Sequence, residues 1–149
     1  MAAMTTLDDA LAHVLVQAQL LGVEHVDLFN ADGRVLAQDC ISALQVPPQD
    51  NSAMDGYAVR VADITAAGVQ LPVSQRIPAG HVGTELQPGT VARIFTGAPV
   101  PPGADAVLMQ EDTQVLDDGR VQFNAVPKLG QNIRRAGEDI ALHSAVLSR

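Results

Sequence analysis

The sequence predicts a mainly β fold with some α, and two observations carry that prediction. One segment near the N-terminus has a helical apolar period. Beyond it, all nine prolines and ten of the twelve glycines fall between residues 47 and 149, interleaved with short Val/Ile-rich runs. Short strands at regular spacing with turn residues between them indicate a small β-barrel or sandwich.

The helical segment covers residues 6–21. Leu7, Leu11, Val14, Leu15, Ala18 and Leu21 recur at spacings of three and four and form one stripe, which must be buried against something. Thr6 suits the N-cap, Asp8 and Asp9 suit the positive end of the helix dipole, and Gly22 suits the stop. "VEHVDLF" at 23–29 alternates apolar and polar and predicts a short strand. After the turn "NADGRVLAQD", "CISAL" predicts a second extended piece. From residue 47 the predicted strands are "YAVRVADI", "LPVSQRI", "TVARIF", "DAVLMQ", "TQVL" and "RVQFNAV". "DDGR" at 117–120 predicts a tight hairpin, because Asp-Gly accepts the positive φ that such turns need. "GEDIALHSAVLSR" opens another apolar, extended segment and stops within it, so more chain is expected to follow.

Composition excludes several classes of function. A net charge of −8 argues against nucleic acid, whose phosphates need a basic face. Only 3% of residues are aromatic and none is Trp, so the core is built from Val, Leu, Ile and Ala, and base-stacking platforms are not expected. A single cysteine, Cys40, rules out a disulfide framework and a cysteine-based metal site. The N-terminus carries acid before its apolar run, unlike a signal peptide, and no run approaches the ~18 apolar residues of a membrane span. The expectation is a soluble, cytoplasmic protein with no nucleic-acid or membrane partner.

His13, His25, His81 and His143 have no mutual spacing that suits a metal, and neither a nucleophile elbow nor a phosphate loop is present. Three polar, glycine-bearing turns remain. "DNSAMDG" holds Asp50, Asn51, Ser52, Asp55 and Gly56. "FTGAPVPPGADAV" holds Thr96 and Gly97, and "GQNIRRAGEDI" holds Arg134, Arg135, Glu138 and Asp139. Singly, each reads as ordinary turn chemistry, with Asp and Asn capping their own backbone and Gly supplying permissive angles. Together they carry acids, arginines and a hydroxyl. Arginine's planar fork suits a phosphate or other oxyanion. A carboxylate beside that anion repels it by ~1 kcal/mol at 4 Å in water and several times more near a protein surface. A bridging Mg²⁺ reverses that sign, because it accepts carboxylate and phosphate oxygens together.

"VPPQDNSAMDGYAVR", "RIFTGAPVPPGADAV" and "GQNIRRAGEDI", in this order, with "GRVLAQD" and "AVLMQED", resemble the molybdopterin molybdenumtransferase family. That family comprises bacterial molybdenum-insertion enzymes and the gephyrin E domain, and the bacterial enzymes are the closer likeness. The resemblance implies an N-terminal helix (1–22) and an elongated arm made of 23–46 and 139–149. The arm would carry an inserted small β-barrel-like domain at 47–138. The family's catalytic α/β domain and its last β domain have no counterpart in the sequence, so the chain reads as an N-terminal piece, inactive alone. The family's reaction inserts molybdenum from molybdate into adenylylated molybdopterin, with Mg²⁺ and release of AMP, in a homodimer that works among other cofactor-biosynthesis proteins. Carried over by position, the resemblance implies Asp55, Thr96 and Asp139 as catalytic residues, with Asp55 and Asp139 as metal ligands. It implies Arg134, Arg135, Ser52, Gly97 and Glu138 in substrate binding, Ser52 and Gly97 through position or shape. Two other readings stand beside it: a non-catalytic dimerisation or protein-docking module, and a stand-alone barrel that binds a small anion.

Overall fold

A computed structural model describes residues 4–19 and 21–149. The chain divides into two compact units, Met1–Asp39 with Arg149, and Cys40–Ser148. Residues 1–3 and 20 of the expected helical segment lie outside the described residues.

In the first unit, helix α1 (Leu7–Gln17) begins where the sequence places it. Thr6 Oγ1 accepts from Asp9 N at 3.2 Å and donates to Asp9 Oδ2 at 2.6 Å, with Asp8 and Asp9 in the first turn. The helix is shorter than the predicted 6–21. Ala18 is already extended and its N–H closes on Leu15 O, so the stop comes four residues before Gly22. None of its residues is buried, and the predicted stripe (Leu7, Leu11, Val14, Leu15) is exposed within this unit. The predicted strand at 23–29 is not formed. A strand persists through pairing, and among the described residues this segment has no partner strand. It ends instead in a 3₁₀ turn, Leu28–Asn30, onto which Arg34 folds, donating to Asn30 O and pairing with Glu24. No helix among the described residues is long and apolar enough to cross a membrane.

The second unit is β-rich, as predicted. It opens with β1 (Cys40–Ile41), β2 (Asn51–Ser52), β3 (Gly56–Val59) and β4 (Gln70–Ile77). β5 (Val91–Ile94), β6 (Ala106–Met109), β7 (Thr113–Val115) and β8 (Arg120–Phe123) follow, then β9 (Ile133–Arg134) and β10 (Ala145–Leu147). Six of them form a curled sheet in the order β6-β3-β5-β4-β8-β7. All six runs predicted beyond residue 47 contribute to it. The Asp-Gly hairpin joins β7 to β8, with Gly119 at φ 81°. β4 is the hinge of the sheet, pairing antiparallel with β8 through its first half and parallel with β5 through its second. β1 pairs with β10, and Val46 bridges to Ile140, so residues flanking the sheet meet each other.

The central strands are buried on both faces. Along β3, Tyr57 and Val59 enter one core with Val91, Leu108, Val121 and Phe123. Ala58 enters a second core with Ile77, Ala92, Ile94 and Val107. This explains why "GYAV", "VARI" and "AVLM" read as nearly continuous apolar runs rather than clean alternations.

Candidate functional site

Two pairings escape any reading of the sequence as strands and turns. β2 and β9, two residues each, lie inside the first and third polar turns and pair antiparallel, Asn51 with Arg134 and Ser52 with Ile133. On its other side Asn51 bridges to Pro99 in the second turn. Ser52 N donates to Ala98 O and Gly97 N donates to Ser52 O, both at 2.9 Å. The three turns therefore meet around β2, within one unit.

Asp55 and Thr96, 41 residues apart, form a single polar unit. Asp55 Oδ1 accepts from both Thr96 N and Thr96 Oγ1, each at 2.8 Å. These bonds, the backbone N–H first and the hydroxyl second, hold the Asp55 carboxyl below its ordinary value, with a smaller contribution from the charge of Arg93. Oδ2 takes no hydrogen bond among the described residues. Ser52 is buried, and its hydroxyl donates to Met54 O at 2.6 Å and accepts from Met54 N at 3.3 Å. It shapes the turn that presents Asp55. Gly97, at φ 78°, supplies the left-handed residue that returns the chain after Thr96.

The third turn is a network of paired charges. Arg134 Nη2 donates to both oxygens of Asp139 and its Nε lies 3.6 Å from Glu138 Oε1, which raises the Arg134 pKa. Glu138 Oε2 also accepts from Arg135 N at 2.8 Å and so caps the turn. Arg135 pairs with Asp50, whose other oxygen accepts from Ala136 N at 2.9 Å. Asp50 is the participant that sequence reasoning passed over as a turn residue. Its partners lie 85 and 86 residues away, and nothing local in the sequence announces them. Each predicted arginine is thus already matched by a carboxylate.

The Asp50 clamp closes the first turn onto the third. Its carboxyl is held low chiefly by the Ala136 N–H and then by Arg135, against the cost of burial. Stability from such a depressed acid is fully present above its ordinary value of 3.8 and is lost as pH falls through the lower folded value. For a partly exposed pair that also caps a backbone N–H, Asp50→Ala is expected to cost about 1 kcal/mol. That corresponds to a Tm lower by about 3–5 °C at neutral pH. The gap to wild type should narrow as pH falls below the ordinary value of 3.8, which melts at stepped pH would show. A constant gap would remove Asp50 from the acid response.

The donor set bears on the divalent ion that the resemblance implies. Among the described residues no three His, Cys, Asp or Glu side chains come together as a ligand group. Asp139 has both oxygens on Arg134, whereas Asp55 keeps one oxygen outside its bonds to Thr96. This does not suit an all-protein cage. It suits Mg²⁺ held through one carboxylate, with substrate oxygens and water completing the shell. A shallow hollow of about 550 Å³ lined by His25, Val26, Asp27, Asn30 and Arg34 includes none of the predicted site residues.

A small curled β-sheet that gathers three polar turns around a two-residue strand defines the class: a β domain presenting an acid–hydroxyl pair and an arginine–carboxylate network. The chain belongs to the family of the MoeA N-terminal region (domain I and II), whose model matches residues 5–149. A Haemophilus influenzae protein, molybdopterin molybdenumtransferase, is 43% identical over 148 residues, covering 98% of this chain and 36% of its own length. A Nostoc protein of the same name is 48% identical over 116 residues, 74% of this chain and 26% of its own. Among solved structures, a molybdopterin biosynthesis MoeA protein from Pyrococcus horikoshii superposes with TM-score 0.78 at 37% identity, over 85% of this chain and 34% of that one. The chain thus spans about a third of the length of the first of these relatives.

Proposed function

We propose that this chain supplies the N-terminal part of a molybdopterin molybdenumtransferase. The whole protein would insert molybdenum from molybdate into adenylylated molybdopterin in the cytoplasm, as a homodimer. The observation that carries this reading is the Asp55–Thr96 unit, because the acid and the hydroxyl that the resemblance marks for catalysis share one carboxylate oxygen. Family membership over residues 5–149 supports it.

In this reading Asp55 uses Oδ1 to hold Thr96 and turns Oδ2 to the reaction. Mg²⁺, when bound, would neutralise charge between that carboxylate and the oxygens of the substrate, with Asp55 as its ligand in this chain. Asp139 acts through Arg134, whose guanidinium it fixes with both oxygens. Thr96 is held by Asp55 in one orientation and offers its hydroxyl oxygen as an acceptor. The remaining substrate contacts belong to the part of the relatives' length that this chain does not span.

Asp55→Asn tests the assignment, since the amide keeps an acceptor for Thr96 while removing the charge. In the full-length protein, molybdenum insertion should fall by about 100-fold, an effect on the scale of losing one electrostatic contact in a transition state, with dimerisation unchanged. Activity close to wild type would sink the reading. It would favour instead a non-catalytic docking module, for which the exposed apolar stripe of α1 speaks.

A further inference from the structure

Two strand arginines outside the predicted site, Arg76 and Arg93, have no carboxylate ion pair among the described residues. Arg76 on β4 and Arg93 on β5 are register partners in the parallel pair and so lie side by side on one face. Like charges placed opposite each other in a sheet are unfavourable unless something compensates them. Part of the compensation is Phe95. The guanidinium carbon of Arg76 lies 4.5 Å from its ring centroid and that of Arg93 lies 4.3 Å from it. Arg93 also reaches the Tyr57 ring at 5.4 Å. Its Nη1 donates to Gly56 O (2.7 Å) and Ile94 O (2.8 Å), and its Nη2 to Gln110 Oε1 (2.6 Å). These acceptors are neutral, so the charge of Arg93 stays whole. Arg76 is exposed and makes no hydrogen bond or ion pair among the described residues. In a chain of net charge −8, this is a local concentration of positive charge, stacked on the residue that precedes Thr96.

We propose that Arg76 and Arg93 form an oxyanion-binding pair beside Thr96, taking a tetrahedral, multiply charged oxyanion of the class that includes phosphate and molybdate. Arg93 is the fixed member, locked by backbone carbonyls. Arg76 is the recruiting member, its guanidinium oriented by Phe95 and its donors free. The contrast with the third turn supports this division. An anion that approaches Arg134 or Arg135 meets Asp139, Glu138 and Asp50 at the same time. One that approaches Arg76 and Arg93 meets two cations, with the Asp55 carboxylate near enough to feel Arg93 and Glu111 one amide away through Gln110, neither of them ion-paired to these arginines. The binding stands on this geometry alone. Its place in molybdenum insertion rests on the function proposed above.

The test titrates this chain separately with sodium molybdate and inorganic phosphate at about 0.1 M NaCl, which screens the general field of the molecule. Affinity is read by calorimetry and location by amide NMR shifts. At least one anion should give saturable shifts at Phe95–Gly97. Arg76→Gln should weaken it about tenfold, the scale of losing a charge-assisted hydrogen bond, and Arg76→Lys should restore part of the loss. Arg120→Gln removes the same charge from a hairpin arginine paired with Asp118, and should change affinity by less than about twofold. Saturation by molybdate alone identifies a metal oxyanion, and by phosphate alone a phosphoryl group; either supports the pair. Absence of saturable shifts with both anions would overturn it, as would equal weakening by Arg76→Gln and Arg120→Gln. Because no turnover is measured, these outcomes are independent of the Asp55→Asn assay.

Discussion

Gly56→Ala is expected to break the centre of the sheet, at a cost on the order of 3–5 kcal/mol. A Cβ at this position would stand 1.9 Å from Leu108 O, 2.8 Å from Leu108 C and 3.1 Å from Met109 Cα. All three are backbone atoms of β6, which β3 pairs through Gly56↔Met109 and Tyr57↔Leu108. No rotamer change can relieve such a clash, so β3 and β6 must separate. Gly56 O is also the acceptor of Arg93 Nη1, and Gly56 follows Asp55 directly. Denaturation of the variant should therefore show a large loss of stability, and the Thr96 amide should lose its bond to Asp55. Gly97→Ala is the informative contrast. Among the described residues nothing lies within 4 Å of its added Cβ, so the positive φ is what opposes it, at about 1–2 kcal/mol. Equal losses in the two variants would show that conformational freedom, and not close approach of strands, is what Gly56 supplies.

The same comparison shows what could be read from the sequence and what could not. The six-stranded sheet was legible because its strands are apolar runs bounded by Pro and Gly, signals that survive in one dimension. The N-terminus of α1 was legible for the same reason, through Thr6, Asp8 and Asp9. The segment at 23–29 misled because alternation reports a strand only when a partner exists, and partners are long-range facts. The site divides along the same line. Asp55 and Thr96 stood out through their motifs, but their shared oxygen is a contact across 41 residues. Asp50, Arg76 and Arg93 were hidden. Asp50 looked like turn chemistry, and the two arginines sit inside strands, where a lone charge reads as a solvated face. Only the register of β4 on β5 sets them side by side.

Arg93 and Phe95 also connect site to fold. Arg93 sits among the buried Val91, Ala92 and Ile94 of β5, with Phe95 directly after the strand, and reaches the Tyr57 ring, so the core that holds Tyr57 ends against the Arg93–Phe95 stack. Stability of that core and presentation of Asp55 are therefore coupled through β3 and β5. A destabilised core should disturb the site before the chain unfolds fully.

Phe123→Ala tests that core and carries the other large effect. Phe123 closes β8 with no exposed surface, and its ring meets Tyr57 edge to face, centroids 6.0 Å apart and planes at 88°. The chain has three Phe, one Tyr and no Trp. This pair is accordingly the main aromatic contact joining the β4-β8-β7 side of the sheet to the β6-β3-β5 side. Truncation to Ala removes the ring and leaves a cavity among Val59, Ile64, Val91 and Leu108, at about 3–5 kcal/mol. Against a typical total of about 5–15 kcal/mol that is a large fraction of the stability. The expected result is a Tm lower by about 10–25 °C. The transition should stay single, because the strands on either side share β4 and cannot melt apart without unpairing it. Phe123→Leu fills most of the space and should cost about 1 kcal/mol. Calorimetric melts of both variants decide the point. Two separate transitions in Phe123→Ala would mean that the sheet is two cooperative halves, held together by this ring rather than by the backbone of β4.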